Sequence, residues 1–291
     1  MSSTNKQELE PAQLYLDLMK RTLTDSIFLD HPLANYVPHQ IRPGTSWLKR
    51  NALRTLAEQL QRYRIKLVEA TDNYTPEARA AARERGFDWP ARAHTMIGIK
   101  RLDNIQFCIE SVIRNGVPGD LIETGVWRGG ACIFMRAALK AYGDPVRNVW
   151  LADSFSGLPP PSPDKYGADS GDVHHTFTAL QVSREDVEEN FRRYGLLDDR
   201  VRFLKGWFKD TLPTAPISRL AVLRLDGDMY ESTIQALEAL YDKLSPGGFV
   251  IVDDYGLAPC AQAIHDFRQL RGIADPIVDI DGAGSFWQRT A

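Results

Sequence analysis

Apolar residues set the rhythm of this chain, and the rhythm changes near residue 97. Over 11–28, Leu14, Leu18, Leu23 and Ile27 recur with polar residues between them, which predicts an amphipathic helix. Residues 31–46 hold three prolines and a glycine and read as a loop. Residues 47–70 predict a second helix. The basic residues of 49–64 alternate there with Leu and Ala, so they read as a solvated face and not as a nucleic-acid surface. Residues 71–93, with Asp88-Trp89-Pro90, read as a polar connector.

Beyond residue 97 short apolar runs alternate with helical stretches. A helix over 102–115 ends at Gly116. Apolar runs follow at 120–126, 148–153, 201–204, 220–226, 249–253, 276–280 and 284–288. Helical stretches lie at 130–142, 184–194, 232–244 and 260–270. Such alternation predicts an α/β fold with a doubly wound, Rossmann-like parallel sheet of about seven strands. Asp281-Gly282 between the last two runs suits a hairpin, which makes the last strand antiparallel. The expected organisation is an N-terminal helical extension over 1–93 and a sheet domain over 94–291. The interval 155–182 fits no element. It carries Pro159-Pro160-Pro161, Pro163 and His174-His175, leaves a strand end, and reads as a lid.

Composition narrows the function classes. A net charge of −3 gives no global attraction to nucleic acid or an anionic membrane. No run approaches the roughly 20 apolar residues of a membrane helix, and the N-terminus has no signal-peptide pattern. Cys108, Cys132 and Cys260 lack CxxC spacing, so neither a disulfide framework nor a zinc site is expected. The expectation is a cytoplasmic protein acting on a small molecule.

The candidate chemistry sits at strand ends, where doubly wound sheets bind ligands. Glu123-Thr124-Gly125-Val126-Trp127-Arg128-Gly129-Gly130 joins a strand to a helix. It is either a ligand-binding turn or simply a tight strand-to-helix turn, and it lacks the GxGxxG spacing of a pyrophosphate site. The next strand ends at Asp153, at a spacing that suits a ribose diol. Glu123 and Asp153 would bracket a nucleoside without a pyrophosphate, a description that S-adenosylmethionine meets. Gly206-Trp207-Phe208 offers an aromatic cover for adenine or an ordinary core contact.

Two later strands end in Leu225-Asp226-Gly227-Asp228 and Val252-Asp253-Asp254-Tyr255-Gly256. Consecutive strands joined by one helix are usually neighbours, so these carboxylates share one sheet edge. Unpaired carboxylates at that spacing repel, and a hard cation with oxygen preference, such as Mg²⁺, relieves the repulsion. Asp228 and Asp254 taken singly could instead cap helices. Arg224, inside an apolar strand, is expected to pair with a buried carboxylate. His174, His175 and His265 are candidate bases or substrate contacts, or merely structural.

The segments 93–98 and 100–104, the stretch 121–130, Gly206-Trp207-Phe208-Lys209-Asp210-Thr211-Leu212-Pro213 and the eleven-residue block LRLDGDMYEST resemble the macrocin O-methyltransferase family. So do 252–256 and Gly284-Ser285-Phe286-Trp287. The resemblance runs over about 89–289. It implies a metal- and S-adenosylmethionine-dependent enzyme that methylates sugar hydroxyls on antibiotics such as macrolides and aminocoumarins. By that resemblance Asp226, Asp253 and Asp254 are the metal ligands and Asp228 is the general base. The implied cofactor seat comprises Thr95, Met96, Glu123, Thr124, Gly125, Asp153, Ser154, Gly206, Trp207 and Asp226. A small glycosylated acceptor and assembly into a homo-oligomer are implied as well. Three other readings remain open at this point: a catechol or phenolic diol acceptor, a nucleotide-dependent oxidoreductase, and a non-catalytic binding module.

Overall fold

The computed structural model describes residues 10–27, 33–35, 46–65, 67–70, 75–87 and 92–290. The expected loop over 31–46, apart from a short strand, and the Asp88-Trp89-Pro90 step lie outside the described residues.

Helix α1 spans Pro11–Leu23, opened by a proline at its first position. It stops short of the expected residue 28. Leu16, Met19 and Leu23 pack into the same core cluster as residues of the sheet domain. Helix α2, Trp47–Arg62, ends eight residues early. Arg64 adopts a left-handed φ of 60°, and the chain becomes strand β2, Val68–Ala70, antiparallel to β1, Leu33–Asn35. The predicted polar connector also holds a helix, α3, Pro76–Arg85. Thr75 caps it by accepting the Ala78 N–H at 3.2 Å, and left-handed Gly86 closes it.

The domain proper runs α4 (Ile99–Arg114), β3 (Asp120–Thr124), α5 (Gly130–Ala141), β4 (Val149–Asp153), α6 (Arg184–Arg193) and β5 (Val201–Lys205). It continues through α7 (Phe208–Thr211), β6 (Leu220–Leu225), α8 (Tyr230–Leu240), β7 (Leu244–Val252), α9 (Ala258–Arg271), β8 (Val278–Asp279) and β9 (Ser285–Gln288). The seven strands lie in the order β5-β4-β3-β6-β7-β9-β8. The first five are parallel, and β9 runs antiparallel to both β7 and β8, as the hairpin signal predicts. After β5 the chain returns past β3 to form β6, which makes β3 and β6 the switch point of the winding.

Alternation along each strand divides the core in two. Leu121, Leu151, Val222 and Ile251 face α1, α4, α5 and α6. Ile122, Trp150, Leu223 and Val250 face α8 and α9. Cys108, Cys132 and Cys260 are buried free thiols. No described helix is long and apolar enough to cross a membrane.

The interval 155–182 is not structureless. It contains three 3-10 turns, at Gly167–Asp169, His174–Thr176 and Thr178–Leu180. Its fixed point is Asp169, fully buried, which accepts the N–H groups of Tyr230 at 2.7 Å and Glu231 at 2.9 Å. The loop therefore caps the start of α8, where orphan N–H groups need acceptors.

Candidate active site

The carboxyl ends of β3, β4, β6 and β7 open onto one cavity of about 780 Å³. The switch-point topology leaves that crevice, and the ladder brings its floor together. Asp226 N–H donates to the Thr124 carbonyl at 2.9 Å, and Asp253 N–H to the Leu225 carbonyl at 2.8 Å. One row beyond the strands therefore aligns Gly125, Asp226 and Asp253. Gly125, with φ of 92°, is required by the protein itself: a Cβ there would stand 1.7 Å from the Asp226 carbonyl oxygen. The glycine was expected to admit a ligand, and its first duty is this backbone approach. Gly130 is similar, since a Cβ would stand 2.3 Å from the His94 carbonyl oxygen.

Asp226, Asp253 and Asp254 each turn a carboxylate oxygen toward one point, all within 4.8 Å of one another. Beneath them lies Arg224, with no exposed surface. Its guanidinium pairs with Glu123, with Asp226 at 2.6 Å and with Asp253. The pairing expected of Arg224 is thus threefold. Arg101 adds a second cation, donating to Asp253 at 2.6 Å and to Asp281 at 2.8 Å. Arg101 heads the buried stripe Arg101, Ile105, Cys108 and Val112 of α4. A charge at helical spacing in an apolar stripe is the signal by which it could have been found.

The two arginines do not neutralise the whole group. Burial, then the neighbouring Asp253, pushes the Asp226 carboxyl well above the usual range. Burial, then Asp228 and Asp226, does the same to Asp254. Asp228, at a left-handed φ of 58°, is pushed up to about 6, chiefly by burial, with His174 opposing. Its backbone N–H donates to Asp254 at 2.9 Å. Asp226 keeps 30% of its side chain exposed to the cavity, and no described donor reaches its Oδ1 or that of Asp254.

The β3–β4 half is satisfied differently. Asp153 accepts the N–H of Val126 at 2.7 Å and of Phe155 at 2.6 Å, joining two loops. Burial still raises its pKa, opposed by those backbone N–H groups. Glu123 is filled by Arg224 and by the Cys132 thiol at 2.8 Å. Ser154 donates to the Gly157 carbonyl at 2.6 Å. Thr95, Met96, Glu123, Gly125, Asp153, Ser154, Gly206, Trp207 and Asp226 all line the cavity. Thr124 does not. It is 1% exposed, and its hydroxyl donates to the Arg224 carbonyl at 3.3 Å, because alternation turns it to the opposite face from Glu123. Of the three candidate histidines, only His174 lines the cavity; His265 bonds Tyr255 at 3.1 Å, on α9.

The family model described as Macrocin-O-methyltransferase (TylF) matches residues 12–289. The chain belongs to the macrocin O-methyltransferase family. It is an S-adenosylmethionine-dependent O-methyltransferase. It is 51% identical over 279 residues to the 8-demethyl-8-(2,3-dimethoxy-alpha-L-rhamnosyl)-tetracenomycin-C 4'-O-methyltransferase of Streptomyces olivaceus, covering 96% of this chain and 93% of the relative. It is 48% identical to the mycinamicin III 3''-O-methyltransferase of Micromonospora griseorubida, covering 96% and 97%. Among solved structures, the O-methyltransferase NovP superposes with a TM-score of 0.78 at 47% identity, over 96% of this chain and all of that one. The match from residue 12 agrees with α1 forming part of the core.

Proposed function

We propose that the enzyme methylates a sugar hydroxyl of a glycosylated natural product, with a divalent cation, Mg²⁺ first among candidates, held by Asp226, Asp253 and Asp254. The observation that carries this reading is the convergence of three carboxylates within 4.8 Å over two arginines that leave the group negative. The donor set fits the cation. All three donors are hard oxygens, and the carboxyls pushed up by burial and then by their neighbours are those a cation favours in the charged state. The acceptor class is supported by the tetracenomycin relative, whose named substrate carries an α-L-rhamnosyl group.

When bound, S-adenosylmethionine supplies a methyl on a sulfonium, and the cation supplies charge that makes a nearby hydroxyl more acidic. The chain does the rest. Thr95, Met96, Glu123, Gly125, Asp153, Ser154, Gly206 and Trp207 form the seat of the methyl donor. Asp226 borders both that seat and the cation site. Asp228 takes the hydroxyl proton as the C–O bond forms and the C–S bond breaks; a pKa of about 6 suits a base working near neutrality. The cavity walls fix the two reactants in line, and orientation supplies much of the rate. The loop over 155–182 bounds the cavity and keeps water out. Three free thiols and a methyl donor made inside the cell suit work in the cytoplasm.

The test is methyl transfer to an α-L-rhamnosyl polyketide by chelator-stripped enzyme, with and without Mg²⁺ restored. Transfer that requires the added cation is expected. Equal transfer in chelator, or none to any glycosylated acceptor, contradicts the reading.

A further inference from the structure

His174 lies outside the machinery described so far, yet it faces the same cavity as Asp228. Its Nδ1 is 2.5 Å from an oxygen of Asp172, and the other Asp172 oxygen accepts the His174 backbone N–H at 2.9 Å. A carboxylate acceptor at Nδ1 keeps the proton there and leaves a lone pair on Nε2 of the neutral ring. Phe177, whose ring meets the imidazole edge-on at 5.2 Å, holds the other side. The ring is tied to the base of the site as well. Asp172 N–H donates to the Asp169 carbonyl at 3.0 Å, and Asp169 caps α8 two residues after Asp228. No described residue bonds Nε2.

We propose that His174 is an acceptor-binding residue: Asp172 sets its tautomer, and its Nε2 accepts a hydrogen bond from a sugar hydroxyl next to the one methylated. This rests on the sugar-acceptor reading above. The pairing selects a ligand with a second hydroxyl beside the reacting one. A site built to bond a hydroxyl discriminates strongly against the analogue that lacks it.

The experiment compares wild type, His174→Phe and His174→Gln on an α-L-rhamnosyl polyketide and on its monodeoxy sugars. His174→Phe keeps the ring against Phe177 and removes the acceptor atom. Expected is a rise of about tenfold in KM for the full sugar, matching the loss of roughly one hydrogen bond. S-adenosylmethionine affinity by calorimetry should stay within about twofold, and His174→Gln should recover most of the loss. One monodeoxy sugar should show the same penalty with wild type and no further penalty with His174→Phe. A merely structural role would penalise every acceptor equally. Unchanged KM in His174→Phe, or an equal penalty on every deoxy sugar, overturns the proposal while wild-type transfer leaves the sugar reading standing. Absence of wild-type transfer to any glycosylated acceptor overturns both.

Discussion

Asp153 at the end of β4 and Asp226 at the end of β6 occupy matching points on one sheet edge, in opposite surroundings. Asp153 has Glu123 as its carboxylate neighbour, already paired with Arg224, and gathers two backbone N–H groups between 2.6 and 2.7 Å. Asp226 shares its corner with Asp253, Asp254 and Asp228, and burial, then Asp253, raises its pKa well above the usual carboxylate range. A carboxylate whose neighbour is already paired can be satisfied by backbone. A cluster needs cations, and Arg224 and Arg101 supply two where the group calls for more. The β4 end is thus built as a clamp between loops, and the β6–β7 end is the seat proposed for the cation.

The comparison breaks most visibly in activity. Asp226→Ala should lower kcat/KM by about 10²–10³-fold, since a catalytic cation is worth several kcal/mol of charge stabilisation. Asp153→Asn should cost about tenfold or less, measured in the same assay. Next in size is Arg224→Met. Removing one partner of a buried ion group costs about 3–5 kcal/mol, so melting should fall by about 10 °C at about 2–4 °C per kcal/mol.

Acid stability sharpens the contrast further. Asp226, Asp228 and Asp254 have folded pKa values raised above the unfolded ones. The folded chain therefore binds more protons, and the metal-free protein loses stability as pH rises, for Asp228 from about 4 through about 6. Saturating Mg²⁺ should remove that loss in thermal melts. His94 has the opposite sign: burial beside Arg128 and Arg193 holds it at about 4, so its contribution is lost as pH falls below about 6.5. Its effect is common to both series and cancels in their difference. The smallest change is the Asp153→Asn melt. It should drop by a few degrees, about 1–3 kcal/mol for charged hydrogen bonds to backbone.

The strand-end carboxylates were legible because each closes an apolar run, and runs joined by single helices become neighbours. The threefold pairing of Arg224 was legible only as a pairing, since its partners come from three strands. Asp169 and Asp172 carried no signal at all: the groups they hold lie 61 residues away in one case and two in the other, in a loop with no periodicity. Helix α3 had its signals, Thr75 before it, Pro76 at its first position and Gly86 after it, obscured because its apolar stripe is made only of alanines. The end of α2 had none, because its described residues include no buried ones to mark where packing stops.

The central claim is that the β6–β7 cluster holds a divalent cation and the β3–β4 pair does not. Mn²⁺ titrated into chelator-stripped protein, with free ion counted by electron paramagnetic resonance, tests it directly. The account predicts one bound Mn²⁺ per chain in wild type and in Asp153→Asn, and none in Asp226→Asn. No bound Mn²⁺ in wild type, or binding unchanged in Asp226→Asn, would contradict it.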